Sequence, residues 1–228
     1  MKRLSLALAL IAVLGIAAEL RAQVVAESYS NGGVATSRAT GYGNTNLRAV
    51  SSATNGGRAD ARIVGHGRHG GYASGNAIAA ANGGLAVAHG RSDARGWNAR
   101  SHVDSVAAAD HGIAISNAEA TARRNSLARS SATALGTYGV AVSDSRADAR
   151  SLWGGHAVAE SDALSDAVLG VAVSRSRVRS RGILGGTAVG RGRAISLGYG
   201  RFGNADVTVN SEAVLGGFSH AEGYHLDW

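Results

Sequence analysis

An all-β fold, a parallel β-roll or β-solenoid built from ~14-residue coils, is predicted by three features of this chain. A short motif returns at a nearly constant interval. Its residues alternate with the two-residue period of a strand. The side chains available for burial are too small to fill a thick core.

The repeat is clearest in three consecutive stretches: GVAVSDSRADARSLWG from Gly139, GHAVAESDALSDAVLG from Gly155 and GVAVSRSRVRSRGILG from Gly170. Each opens on a small residue followed by x-Ala-x-small. The anchoring Ala stands at 59, 73, 86, 99, 114, 128, 141, 157, 172 and 188, nine intervals with a mean of 14.3 residues. That period is too short for a pair of helices and suits a β-solenoid.

Within a repeat the two halves differ. In Val140-Ala141-Val142-Ser143 neither face is polar, the pattern of a strand covered on both sides. In Ser145-Arg146-Ala147-Asp148-Ala149-Arg150, and again from Ser176 to Arg181, small and charged residues alternate. The expected coil therefore has an inner strand buried twice and an outer strand buried once. The apolar side chains that point out of the roll are Leu85, Val87, Ile113, Ile115, Val140, Val142, Val171 and Val173. A contiguous apolar stripe marks an interaction surface, and an identical chain is the simplest cover. A homo-oligomer with these eight residues at its interface is the expectation.

Composition agrees with a thin, stacked architecture. The 228 residues include 33 Gly, and hydrophobic content of 45% is largely Ala. There is no Cys, which excludes disulfides and thiolate metal sites. The N-terminus reads as a secretory signal over 1–22: Lys2 and Arg3, an apolar run from Leu4 to Ala18, and cleavage after Ala22. Removing it takes three positive charges and Glu19, so the net charge falls from +7 to +5. No later segment is apolar enough to span a bilayer. The expected organisation is a signal at 1–22, an N-terminal cap with irregular coils at 23–56, the repeat solenoid at 57–200 and a C-terminal cap at 201–228. The last segment breaks the period and holds Phe202, Phe218, Tyr224 and Trp228.

The motif Gly139-Val-Ala-Val-Ser143 with Ser145-Arg-Ala-Asp-Ala149, and Gly112-Ile-Ala-Ile-Ser116 with Ala118-Glu-Ala-Thr-Ala122, resembles the head repeats of YadA-like trimeric autotransporter adhesins. The resemblance covers about residues 57–200. It implies a left-handed parallel β-roll, a homotrimer and an adhesive outer surface. The chain departs from that family in lacking a neck motif, a heptad stalk and a long anchor domain, and Ser, Ala or Gly stands where the family prefers Gly (Ser143, Ala159, Ser174, Gly190).

Catalytic chemistry is not legible. Gly65-His66-Gly67-Arg68-His69-Gly70 spells a dinucleotide fingerprint, but another repeat follows it where a helix would have to start. His66 with His69, and His220 and His225 with Glu222 and Asp227, read as turn and end residues rather than metal ligands. No catalytic, cofactor or metal residue is assigned, and the chain reads as a non-enzyme.

Charge is patterned. Five residues after each anchor stand Arg91, Asp104, Glu119, Thr133, Arg146, Asp162, Arg177 and Arg193; nine after stand Arg95, Arg123, Arg150, Asp166 and Arg181. Stacked in sequence order, Asp162 would lie between Arg146 and Arg177, and Asp166 between Arg150 and Arg181. Towards the C-terminus Arg175, Arg177, Arg179, Arg181, Arg191, Arg193 and Arg201 form a candidate basic patch for an anionic polysaccharide or extracellular matrix polymer, with no specific nucleic acid as partner. The expected function is that of an exported structural or adhesive solenoid, extracellular or at the cell surface. Its rivals are an ice-binding solenoid, which wants hydroxyl columns where this chain has Arg, Asp and Glu, and a polysaccharide-active enzyme, which wants clustered carboxylates.

Overall fold

The structure is a computed structural model and describes residues 21–68, 71–153, 155–199, 202–215 and 217–227. Every regular element among them is a strand. One sheet holds β1 (Arg21–Asn31), β3 (Asn44–Thr54), β5 (Tyr72–Asn82), β7 (Arg100–Asp110), β9 (Ser126–Thr137), β11 (His156–Val168), β13 (Thr187–Tyr199) and β15 (Ser219–Asp227). The other holds β2 (Val34–Tyr42), β4 (Arg58–Gly67), β6 (Leu85–Arg95), β8 (Ile113–Arg123), β10 (Val140–Ser151), β12 (Val171–Ile183) and β14 (Phe202–Val214). The chain crosses from one sheet to the other after every strand, and each strand pairs in parallel with the strand two before and two after it. The result is a parallel β-solenoid of two sheets, about seven turns long.

Each fourteen-residue repeat is thus one strand and a turn, and one complete turn of the solenoid takes two repeats. The expected inner and outer strands are two halves of one strand: Val140–Ser143 and Ser145–Arg150 both lie in β10. The inward residues are the small ones, and Val140, Val142, Asp144, Arg146 and Arg150 all stand on the outer face. Seven turns at an interstrand spacing of about 4.8 Å give a rod of roughly 35 Å, shorter than a coil per repeat would make it. The expected caps are also strands of the stack. Residues 23–56 contain β2, β3 and most of β1, and β14 and β15 continue the two sheets past residue 200. Residues 1–20 of the expected signal over 1–22, and His69, Gly70, Arg201 and Trp228, lie outside the described residues, while Arg21 and Ala22 open β1.

The interior is a single layer of Ala, Ser and Gly. Ala86, Ala114, Ala141 and Ala172 are fully buried in one column, and Ala157 and Ala188 on the opposite sheet match them. The sheets lie close enough for an inward Ser hydroxyl to reach across the core. Ser116 donates to the Ser105 carbonyl at 2.6 Å, Ser145 to the Ser130 carbonyl at 2.9 Å and Ser196 to the Ala172 carbonyl at 2.6 Å. Such bonds satisfy buried polar groups that apolar side chains of this size would leave unserved. Among the described residues, the large inward side chains that are almost fully buried stand where the facing position is glycine. Leu47 fills the space before Gly41, Ile63 that before Gly75, Val103 that before Gly90 and Val178 that before Gly190.

The turns leading into the even-numbered strands share a glycine column: Gly33, Gly57, Gly84, Gly112, Gly139 and Gly170. Here successive backbones touch. Val140 N–H donates to the Gly112 carbonyl at 3.1 Å, Ile113 N–H to that of Gly84 at 3.0 Å and Val171 N–H to that of Gly139 at 3.0 Å. A Cβ on Gly112 would overlap the Gly84 carbonyl oxygen. We predict that Gly112→Ala destabilises the fold at or above the top of the about 1–3 kcal/mol range for overpacking. Gly136→Ala, whose Cβ would meet only ordinary contacts from 3.6 Å, should be nearly silent. Chemical denaturation of the two variants beside the parent chain checks both.

Candidate interaction faces

Outward side chains stack in columns because the strands are parallel and in register. On the even-numbered sheet the eight residues expected at an interface come together. Leu85, Ile113, Val140 and Val171 form one column, and Val87, Ile115, Val142 and Val173 form the column beside it. Ile113 is 44% exposed, and the other seven are partly buried by their own neighbours. The two columns make a ridge of β-branched and Leu side chains along one margin of the sheet's outer face. No third layer covers it among the described residues.

Two arginine-rich columns stand on the rest of that face, among columns that also carry Asp93, Asp144 and Asp148. Arg95, Arg123, Arg150 and Arg181 form one column; Arg91, Glu119, Arg146 and Arg177 form another. Like charges therefore stand on adjacent strands: Arg146 lies beside Arg177, and Arg150 beside Arg181. The expected placing of Asp162 and Asp166 between these arginines fails, because consecutive repeats belong to opposite sheets. Asp162 instead pairs with Arg193 at 3.4 Å, and Asp166 lies between Leu135 and Leu197.

The candidate basic patch is divided for the same reason. Arg175, Arg177, Arg179 and Arg181 form a row along β12, while Arg191 and Arg193 lie on β13 in the other sheet. The row is flanked by acids. Asp144 stands 4.0 Å from Arg177, and Glu212 stands 3.3 Å from Arg181. Arg175, Arg179, and Arg146 beside the row have no ion-pair partner among the described residues. Side chains that share a strand face recur about every 6.6 Å, so the row presents four positive charges at a regular pitch.

The odd-numbered sheet carries features not anticipated from sequence. Val50, Ile78, Val106, Thr133, Leu164, Ile195 and Leu226 form a third column of mostly apolar residues. Beside it Ala80 and Ala108 are short, and Leu135 and Thr137 close a shallow apolar trough of about 440 Å³. Each of these residues falls in the half of its repeat that reads as charged elsewhere. Taking every second repeat alone would have revealed the column. The same sheet holds a ladder of alternating charge. Arg129 meets Glu160 at 2.6 Å, Glu160 meets Arg191 at 3.9 Å, and Arg191 meets Glu222 at 3.6 Å.

No protein-family model, curated protein or solved structure matches this chain. The faces themselves therefore carry the functional reading. No group of three or more His, Cys, Asp or Glu residues suited to a metal ion occurs among the described residues. His66 stacks on Tyr42 with ring centroids 5.3 Å apart, and His111 on Tyr138 at 4.7 Å. These rings belong to the side-chain stacks of the rod. His220, Glu222 and His225 lie on β15, but Glu222 is engaged with Arg191.

Two histidines titrate in opposite senses. The hydrogen bond to Asp104 at 3.0 Å raises the pKa of His102 above its ordinary value of 6.5, against the opposing effect of burial. Burial, reinforced by Arg62, lowers that of His89. His102 therefore adds stability that is complete below pH 6.5 and is lost as pH rises through its higher folded-state value. His89 removes stability as pH falls below 6.5, because the unfolded chain takes up the proton first. The half-buried His102–Asp104 pair lies near the surface, where solvent screening holds such a pair to about 0–1 kcal/mol. We expect an NMR titration to place His102 above 6.5 and His89 below it, with Asp104→Asn reversing the shift of His102 alone.

Proposed function

We propose that this protein is an exported structural or adhesive solenoid, secreted or held at a cell surface. In this reading it self-associates through the apolar ridge of the even-numbered sheet and binds an anionic surface or matrix polymer through the arginine row of β12. The observation that carries the proposal is the coexistence on the outer face of one sheet of an eight-residue apolar double column and a regular row of four arginines. Neither is needed to close the interior, which Ala, Ser and Gly already fill. Burying apolar surface at roughly 25 cal/mol per Å² favours a partner of the same shape and chemistry, and an identical ridge supplies one.

The trimer implied by the resemblance to YadA-like heads packs through inner strands that this two-sheet fold does not contain. Self-association is therefore argued from the ridge, and stoichiometry is left to measurement. For the arginine row the argument is electrostatic. Adjacent like charges about 5 Å apart repel by around 1 kcal/mol even in water, and a polyanion laid along β12 relieves that repulsion. Acids on the flanking strands confine such a polymer to the row.

Two measurements test the reading. Sedimentation of the exported chain should give an oligomer, and Val142→Asp with Val173→Asp should reduce it without loss of β structure. An oligomer that survives the double change removes the ridge from the account. Retention on a sulfated polysaccharide column should fall on changing Arg175, Arg177 and Arg179 to Ser. Changing Arg191 and Arg193, which lie on the other sheet and are ion-paired, should have much less effect. Equal losses from the two sets would mean that net charge alone governs retention.

A further inference from the structure

The apolar ridge has a matching surface on the back of the same molecule. Across the core the Ser143 and Ser165 hydroxyls meet at 2.9 Å, so Val142 on one outer face lies behind Leu164 and Asp166 on the other. The ridge of the even-numbered sheet and the third apolar column of the odd-numbered sheet therefore follow the same margin of the rod, back to back. Beside that column lies the trough of about 440 Å³, with Ala80 and Ala108 in its floor and Leu135, 40% exposed, at its wall. The ridge, Ala80, Ala108 and Leu135 all stand on interior strands, each with a described neighbour on both sides.

We infer that the ridge of one copy seats in the trough of a second copy, so that molecules layer face to back. This rests on the self-association proposed above and replaces the identical ridge by a different surface of the second molecule. Position favours it first. A copy laid without rotation on the odd-numbered sheet of another brings ridge over trough, because both follow one margin. Shape favours it next. Successive strands alternate between the sheets, so β6 lies at a height between β5 and β7. Leu85 then falls between Ala80 and Ala108, and Ile113 between Ala108 and Leu135. In the column alongside, Val87 falls between Ile78 and Val106. Large side chains meet small ones, the rule that already places Leu47 before Gly41 in the interior.

Charge decides between the two partners. Among the described side chains, twelve arginines and seven acids point outward from the even-numbered sheet, against five arginines and seven acids from the odd-numbered one. Layering face to back sets the basic face on the acidic one. Two even-numbered faces packed on each other would set one arginine excess against another. The face-to-back contact is heterologous and does not close on itself. Layers add by translation, with the facing sheets about 10 Å apart and their strands nearly aligned. A stack exposes one even-numbered face however long it grows, and there the arginine row stays open to a polymer.

Sedimentation of the exported chain tests this with two variants, each checked by circular dichroism for retained β structure. The parent should form an open series whose mean mass rises with concentration. Ala80→Arg with Ala108→Arg fills the trough and should leave monomers, as should Val142→Asp with Val173→Asp on the ridge. Mixed together, the two variants should recover a one-to-one pair and nothing larger, because one keeps its trough and the other its ridge. Ala108→Thr, a residue that suits a strand, replaces the double change if that change costs the fold, and should lower the mean mass in the same direction. A folded trough variant that associates as the parent does, or a mixture of folded variants that stays monomeric, would overturn face-to-back layering and leave the ridge proposal standing. A parent that is monomeric at every concentration would remove both.

Discussion

The closeness of the two sheets is the constraint from which the other properties of this molecule follow. A serine hydroxyl on one sheet bonds a carbonyl on the other, as Ser116 does to Ser105. Such a gap admits a methyl or hydroxymethyl group from each side. Among the described residues a large branched chain is almost fully buried there against glycine, as Leu47 is before Gly41 and Ile63 before Gly75. An interior of this kind buries little apolar area per residue, so the driving force available from large core side chains in a globular domain is small here. Backbone hydrogen bonding takes a larger share, repeated along every strand and reinforced at the glycine column where successive turns meet.

The same constraint explains the outer faces. Bulky side chains are excluded from the interior, so every Val, Ile and Leu of the repeat other than those facing glycine must stand outside. Parallel, in-register stacking then gathers them into columns rather than scattering them. Leu85, Ile113, Val140 and Val171 are one result, and the run from Val50 to Leu226 on the opposite sheet is another. Charged residues obey the same rule without regard to sign, so Arg150 adjoins Arg181 while Arg193 adjoins Asp162. Long guanidinium side chains fan apart in water and soften such repulsions, as short acids could not.

Sequence reading reached the architecture because the inner face obeys a strict two-residue alternation that few other folds impose. The residues outside were identified for the same reason: Val140, Val142 and their equivalents do stand on a common outer face. Two errors came from one source. A half-repeat such as Val140-Ala-Val-Ser143 has no polar face, and so it resembled a complete, doubly buried strand. It is the apolar half of a longer strand whose other half is charged. Two strands with two turns cannot comfortably fit in fourteen residues, whereas one strand of nine to thirteen residues with its turn can. The turn glycines carried the missing information. Gly33, Gly57, Gly84, Gly112, Gly139 and Gly170 are spaced 24 to 31 residues apart, twice the strand period. That is the length of a full turn. Reading neighbours as consecutive rather than alternate repeats then misplaced Asp162 and Asp166 and merged arginines from opposite sheets into one patch.

Register in such a stack has to be held by something other than core shape, since Ala and Ser columns look alike when displaced by two residues. Three features resist that slip. Large inner chains must meet their glycines: moving β5 by two residues would put Ala77 or Ala73 in place of Gly75 before Ile63. The turn glycines must coincide, because no side chain fits where Gly112 and Gly84 touch. Outside, a two-residue slip of β11 against β13 would remove the contacts of Glu160 with Arg191 and of Asp162 with Arg193, and would set Glu160 against Val189 or Arg193. Surface pairs of this kind add little to stability, but they separate registers that the interior alone leaves nearly equal in energy. Charge on this rod therefore acts first on register. Among the described residues Arg175 and Arg179 stand outside such pairs, and Arg177 and Arg181 beside them are held by Asp144 and Glu212.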